Sequence, residues 1–403
     1  MALLGFHIVL SLIAATLFNK FGAHFTICDR LVWKGLKYFW LPEPPEYNDN
    51  KKLRKRNPKA QELDIRQNVI FYNSLVWMLN YGILSLLVFT LSQIWCYLLP
   101  ADDSTNVSVL WCLFSISFSL QNLCKILWMK ISKNELSSER NLVVSFSLIT
   151  FLFFAVINMF GDRIMSNNLG RGFDLLMENS RVLASNVDNL TIGKSSPILL
   201  FMFTSLVAAL LCALLMLPLV QYSLLFKSAS ERESSFKSIL HKLVFIFPYL
   251  ILPLYLAPVE QIFLSQVPNL REDLYSLIRI SLVIIWSLLR ILSLQSLLQM
   301  YLLNAWDKAQ AFTKHVDSFE TLRSHISLLA MTAIQLLAPA ILILFVSLAE
   351  ISLGQLLGPK AIRMENNLDV ILDYRVQRIF WAYSTSILLT LHVVLASIGL
   401  AFS

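Results

Sequence analysis

Charge is what this sequence has least of. Only 15% of its 403 residues are Asp, Glu, Lys or Arg, against about 25% in soluble domains. With 56% hydrophobic residues and a mean hydropathy of +0.63, the composition excludes an ordinary soluble domain and identifies an integral membrane protein. Alternating apolar and polar positions are also missing, which excludes a β-barrel. Repeated runs of about 20 apolar residues instead imply an all-α, polytopic membrane bundle. The five cysteines, Cys28, Cys96, Cys112, Cys124 and Cys212, have no metal-ligand spacing and are read as free thiols acting as small hydrophobes.

Catalytic patterns are lacking as well. Among the six histidines no pair stands four apart, and no HExxH, GxSxG or glycine-rich phosphate loop occurs. The expectation is therefore a non-enzymatic protein with no catalytic residue, cofactor or metal. Neutral hydrogen-bonded roles are expected for His7 and His392, which lie in apolar spans. The net charge of +7 is assigned to membrane topology, with no nucleic-acid partner.

The first apolar run, residues 2–18, could be a cleaved signal or a retained helix. No Lys or Arg precedes it and Lys20, Arg30, Lys34 and Lys37 follow, which favours a retained helix with its N-terminus outside. Eight more spans are expected near 75–99, 109–129, 141–160, 197–219, 243–258, 274–303, 326–349 and 379–402, making nine, with the C-terminus inside. In this arrangement the inward segments hold 22 Lys and Arg and the outward segments hold 9. The chain reads as one membrane domain, residues 1–403, with two notable connections. Residues 19–74 form an inward basic loop, opening with an interfacial helix from Phe21 to Trp40 and continuing through the cluster Lys51, Lys52, Arg54, Lys55 and Arg56. This cluster suits anionic lipid head groups or simply sets topology. Residues 161–196 form an outward loop, where Phe173, Leu176, Met177 and Leu183 opposite Asp174, Glu178 and Arg181 predict an amphipathic helix. A similar pattern precedes the last span, Leu368, Ile371 and Leu372 against Asp369, Asp373 and Arg375. Two glycosylation sequons, at Asn106 and Asn189, fall in outward segments, Asn189 being the better placed.

The span at 274–303 carries Arg279 and Arg290, eleven residues apart and so on one helical face, about 16 Å apart along the axis. A charge within a membrane helix usually faces protein or water. That face continues through Glu272, Ser276, Trp286, Ser293, Tyr301 and Asn304, which places the helix in the protein interior. Pro248, Pro253 and Pro258 should kink or break the span at 243–258, and Pro339 should break its own helix and free the carbonyl of Gln335. No acid lies deep in any span. Arg290 is therefore expected to meet freed carbonyls of Val244 or Tyr249, Gln335, tyrosines, water, an anion or a lipid head group. Arg279 is expected nearer the outer interface, within reach of Glu260, Glu272, Asp273 or Glu350.

The opening MALLG, the segment NVSVLWCLFSISFSL (Asn106 to Leu120), the helix RISLVIIWSLLRILSLQSLLQMYL and the segment IQLLAPAILIL together resemble the transmembrane protein 161 family. Their order along the chain carries the likeness, which covers most of it apart from residues 41–70 and the outer loops. The resemblance implies a multi-pass membrane protein linked to ion homeostasis, membrane excitability and stress response, with no catalytic residues to transfer. The expected function is that of an ion channel or transporter, or a regulator with a channel partner. The alternative is a lipid-binding or lipid-scrambling protein or scaffold. The expected location is the plasma membrane or an endomembrane of the secretory pathway.

Overall fold

The structure is a computed structural model that describes residues 6–21, 28–40, 59–62, 69–98, 107–132, 137–161, 164–166, 168–187, 196–267, 271–311, 315–356 and 371–402. The basic cluster at 51–56, both sequon asparagines and the expected helix around Leu368 and Asp369 lie outside these residues.

It is an all-α bundle with eight described helices long and apolar enough to cross a membrane: α2 (Tyr72–Leu98), α3 (Ser108–Ser132), α4 (Ser137–Phe160), α6 (Ile198–Arg232), α7 (Ser235–Ile251) with its continuation to Tyr255, α9 (Glu272–Leu292), α12 (Leu329–Leu353) and α13 (Tyr374–Ala401). A shorter apolar helix, α1 (Phe6–Phe21), precedes them. The amphipathic helix of the long connection is α5 (Leu169–Val187). The remaining helices are α8 (Ala257–Gln266), α10 (Leu294–Ala311) and α11 (His315–Ser327).

A helix that is apolar on every side can satisfy itself only in a core or in lipid. In α12 every residue from Leu329 to Ser352 is buried, so this helix is the centre of the bundle. By contrast, α4 leaves Val144, Leu148, Leu152 and Val156 exposed, a surface suited to lipid. Close helix approach is set by small residues. Gly399 of α13 lies so near α6 that an added Cβ would stand 2.9 Å from the Val220 Cα, and beside it the Ser223 hydroxyl donates to the Ala396 carbonyl at 2.8 Å. Asn158 ties three helices together: its amide donates to Thr204 and Ser205 of α6, and it accepts from the Tyr383 hydroxyl of α13.

Four expectations about local structure change. The interfacial helix expected from Phe21 to Trp40 is replaced, where described, by a π-helical turn (Asp29–Trp33) and strand β1 (Lys37–Trp40), paired antiparallel with β2 (Lys59–Glu62). Gly35 stands between them at φ +92°, a backbone conformation that ends a helix and turns the chain. The expected 274–303 helix is interrupted at Ser293, so Tyr301 and Asn304 belong to α10. There the Ser293 hydroxyl donates to the Arg290 carbonyl at 2.8 Å, competing with the backbone ladder. Pro248 and Pro339 do not break their helices, because each sits inside a continuous one held by packing on its neighbours. The break comes at Pro253 and Pro258, where a 3₁₀ turn (Leu252–Tyr255) and an extended Leu256 separate α7 from α8. Finally, α6 runs well past the expected end at 219, through Pro218 to Arg232, and its 35 residues reach about 52 Å.

Candidate functional site: a buried arginine axis

Both arginines of α9 are buried, Arg279 at 2% and Arg290 at 3% exposure. The face that carries them also buries Tyr275, Ser276, Trp286 and Ser287. Written as Tyr275-Ser-Leu-Ile-Arg279 and Trp286-Ser-Leu-Leu-Arg290, the face is a five-residue pattern used twice, eleven residues apart. An eleven-residue step is three helical turns, so the second copy repeats the orientation of the first.

The two aromatic residues do equivalent jobs. Pro258 has no N–H for the Leu254 carbonyl, and the Tyr275 hydroxyl donates to that carbonyl at 2.8 Å. Pro248 likewise leaves the Val244 carbonyl without its helical donor, and the Trp286 indole N–H donates to it at 2.9 Å. Two proline-freed carbonyls, those of Leu254 and Val244, are therefore satisfied from α9, by its aromatics. Val244 serves Trp286 and not Arg290.

The two arginines differ in their partners. Arg279 Nη2 lies 3.5 Å from Oε1 of Glu350, itself fully buried in α12. Its Nη1 donates to the Ser166 hydroxyl at 3.1 Å, and its guanidinium lies over the Tyr255 ring at 4.1 Å. Glu350 also accepts from the Thr385 hydroxyl of α13 at 3.1 Å. Ser166 is brought in by the backbone: its N–H donates to Tyr255 O and Ala257 N–H donates to Ile164 O, so the segment before α5 is pinned across the break between α7 and α8. Of the four acids expected within reach, Glu350 is the partner. It pairs in the core, not by snorkelling at the interface. Asp273 instead pairs with Arg378, which also donates to Ser276.

Among the described residues Arg290 forms no ion pair with a carboxylate. Its guanidinium stacks over Tyr222 at 4.0 Å and lies 5.8 Å from the Trp286 ring centre. Its Nη1 lies 2.8 Å and 3.0 Å from the two ring nitrogens of His392. His392 is thus bonded to a neighbouring helix, and an unprotonated ring nitrogen is what an arginine donor requires. Among the described residues, Nε and Nη2 of Arg290 find no hydrogen-bond partner, nor do the two amide atoms of Gln335. Gln335 is fully buried and does not join Arg290.

Tyr222 was outside the expected span, which ended at Leu219. The signal that locates it is the continued apolar spacing of Leu219, Tyr222, Phe226 and Ala229 after the proline, all four of which are buried. Chemically, this axis holds two cations at fixed depth on one helix: one is neutralised by an acid, the other is cradled by aromatic faces and an imidazole.

Comparison with known proteins adds one positive finding. A family model described as "Predicted transmembrane protein 161AB" matches residues 58–362, a region that includes both arginines, Gln335 and Glu350. No solved structure matches the chain.

Proposed function

The chain belongs to the transmembrane protein 161AB family, and on that premise we propose that it is a non-enzymatic membrane protein that modulates ion homeostasis or membrane excitability by regulating a channel partner. That it is a multi-pass membrane protein follows from its family and its apolar helices. The observation that carries the finer reading is the closure of the arginine axis. Charged groups on a permeation path must face water, whereas Arg279 and Arg290 are 2–3% exposed and surrounded by Glu350, Tyr255, Tyr222, Trp286 and His392. Such closure favours a structural axis and a regulatory role over conduction. The proposed orientation puts the basic residues 51–56 in the cytoplasm and Asn189 in the lumen or outside. The membrane would be the plasma membrane or one of the secretory pathway.

The test is reconstitution of purified protein in liposomes under potassium, sodium, calcium and chloride gradients. Fluxes equal to those of empty liposomes are expected, together with altered currents when the protein is co-expressed with a responsive channel. Ion flux that depends on the reconstituted protein would overturn the regulatory reading in favour of conduction.

A further inference from the structure

Away from the arginine axis, a cavity of about 560 Å³ lies between α3, α4, α6, α10 and α11. Its α6 wall changes character along the helix: Leu217, Val220 and Leu224, with Gln221 among them, line one part, and Lys227, Ser228 and Glu231 the next. Their spacing of three and four keeps them on one face. Because α6, at about 52 Å, exceeds the roughly 30 Å of bilayer hydrocarbon, such a stripe runs from lipid depth into the head-group layer. Leu224 is 43% exposed, so the apolar part opens sideways.

Across from this stripe stand Lys130 of α3, Glu139 of α4 and Lys308 of α10. Arg232 and Asp307, also in the wall, pair with each other at 2.5 Å and largely cancel. Lys130, Lys227 and Lys308 then face Glu139 and Glu231, so cations and carboxylates share one polar chamber above an apolar slot. Among the described residues, one carboxylate oxygen of Glu139 is buried without a hydrogen-bond donor. A soluble anion would use the lysines but neither the slot nor the acids.

We propose that this cavity binds one aminophospholipid. The phosphodiester lies among Lys130, Lys227 and Lys308, the primary ammonium of an ethanolamine or serine head group donates to Glu139, and the acyl chains leave along Leu217, Val220 and Leu224. The site is independent of the arginine axis and of the regulatory function proposed above.

The test uses the full chain in phosphatidylcholine nanodiscs with a trace of phosphatidylethanolamine carrying a photoreactive diazirine near the glycerol. Labelling of α6 between 217 and 224 should exceed that of the lipid-facing α4 positions Leu148, Leu152 and Val156, and unlabelled phosphatidylethanolamine should compete where added phosphatidylcholine does not. Lys227→Glu with Lys308→Glu should lower α6 labelling by at least about fivefold through loss of two charge-assisted contacts. Leu224→Trp, which fills the slot and leaves every charge in place, should lower it similarly and decides the matter if the charge variant does not fold. Labelling no higher on α6 than on α4, or unchanged in a folded variant, overturns the proposal. Competition by inorganic phosphate would also overturn it, showing a soluble-anion site.

Discussion

Replacing Arg279 by leucine strands Glu350 in the most enclosed helix of the protein, and the cost can be estimated. At 3.5 Å, two unit charges attract by about 5 kcal/mol if the effective dielectric constant is about 20. Desolvating both ions offsets much of that gain, so the intact pair adds little net stability. Removing one partner leaves the other charge buried, and such losses run to about 3–5 kcal/mol. Arg279→Leu and Glu350→Leu should each lose about this much, whereas the double variant should be more stable than either single one by at least about 2 kcal/mol. Arg290→Leu supplies an internal contrast. Among the described residues it leaves His392, Tyr222 and Trp286 behind and no carboxylate, so it should cost less than Arg279→Leu. The assay is reversible unfolding in mixed micelles with increasing dodecyl sulfate, followed by helicity, for wild type, the three single variants and the double variant. If the Arg279 and Glu350 losses simply add, or if Arg290→Leu is the most damaging, the assigned pairing is refuted.

Three further outcomes are expected. Trp286→Phe should lose about 1–3 kcal/mol by leaving the Val244 carbonyl without a donor. Adding Pro248→Ala, which restores an N–H within a continuous helix, should recover part of that loss in the same unfolding assay. Gly399→Ala should destabilise by about 1–3 kcal/mol because its methyl group meets the α6 backbone, whereas Gly161→Ala, with no atom of the described residues within 4 Å of an added Cβ, should change stability little. In cells, glycosidase treatment should shift the mass of the wild-type protein but not that of Asn189→Gln, and modification of Asn189 by a cytosol-confined reagent would refute the proposed orientation.

Much of the architecture was legible because the membrane imposes simple rules. Spans of adequate length, the shared buried face of both arginines and a break around Pro253 and Pro258 follow from hydropathy, period and a missing N–H. Other features were not. Tyr222 lay beyond the expected end at 219, where Gln221 and Ser223 dilute the apolar run but do not end the helix. Glu350, near the end of its span, read as an interfacial acid and proved to be fully buried. Gly35 turns the chain into a ribbon where side-chain periodicity predicted a helix, since a period reports faces but not backbone conformation.

By itself, then, the sequence determined that this chain enters a membrane as helices, that Arg279 and Arg290 share a face, and that particular carbonyls lose their helical donors. These are consequences of solvent, spacing and covalent structure, all local along the chain. Tertiary structure decided which groups answer them: Glu350 for Arg279, His392 and Tyr222 for Arg290, Tyr275 and Trp286 for the carbonyls of Leu254 and Val244. It also placed α12, not the arginine helix, at the centre. Partner choice depends on the relative rotation and depth of helices far apart in sequence, which many side chains set together through packing.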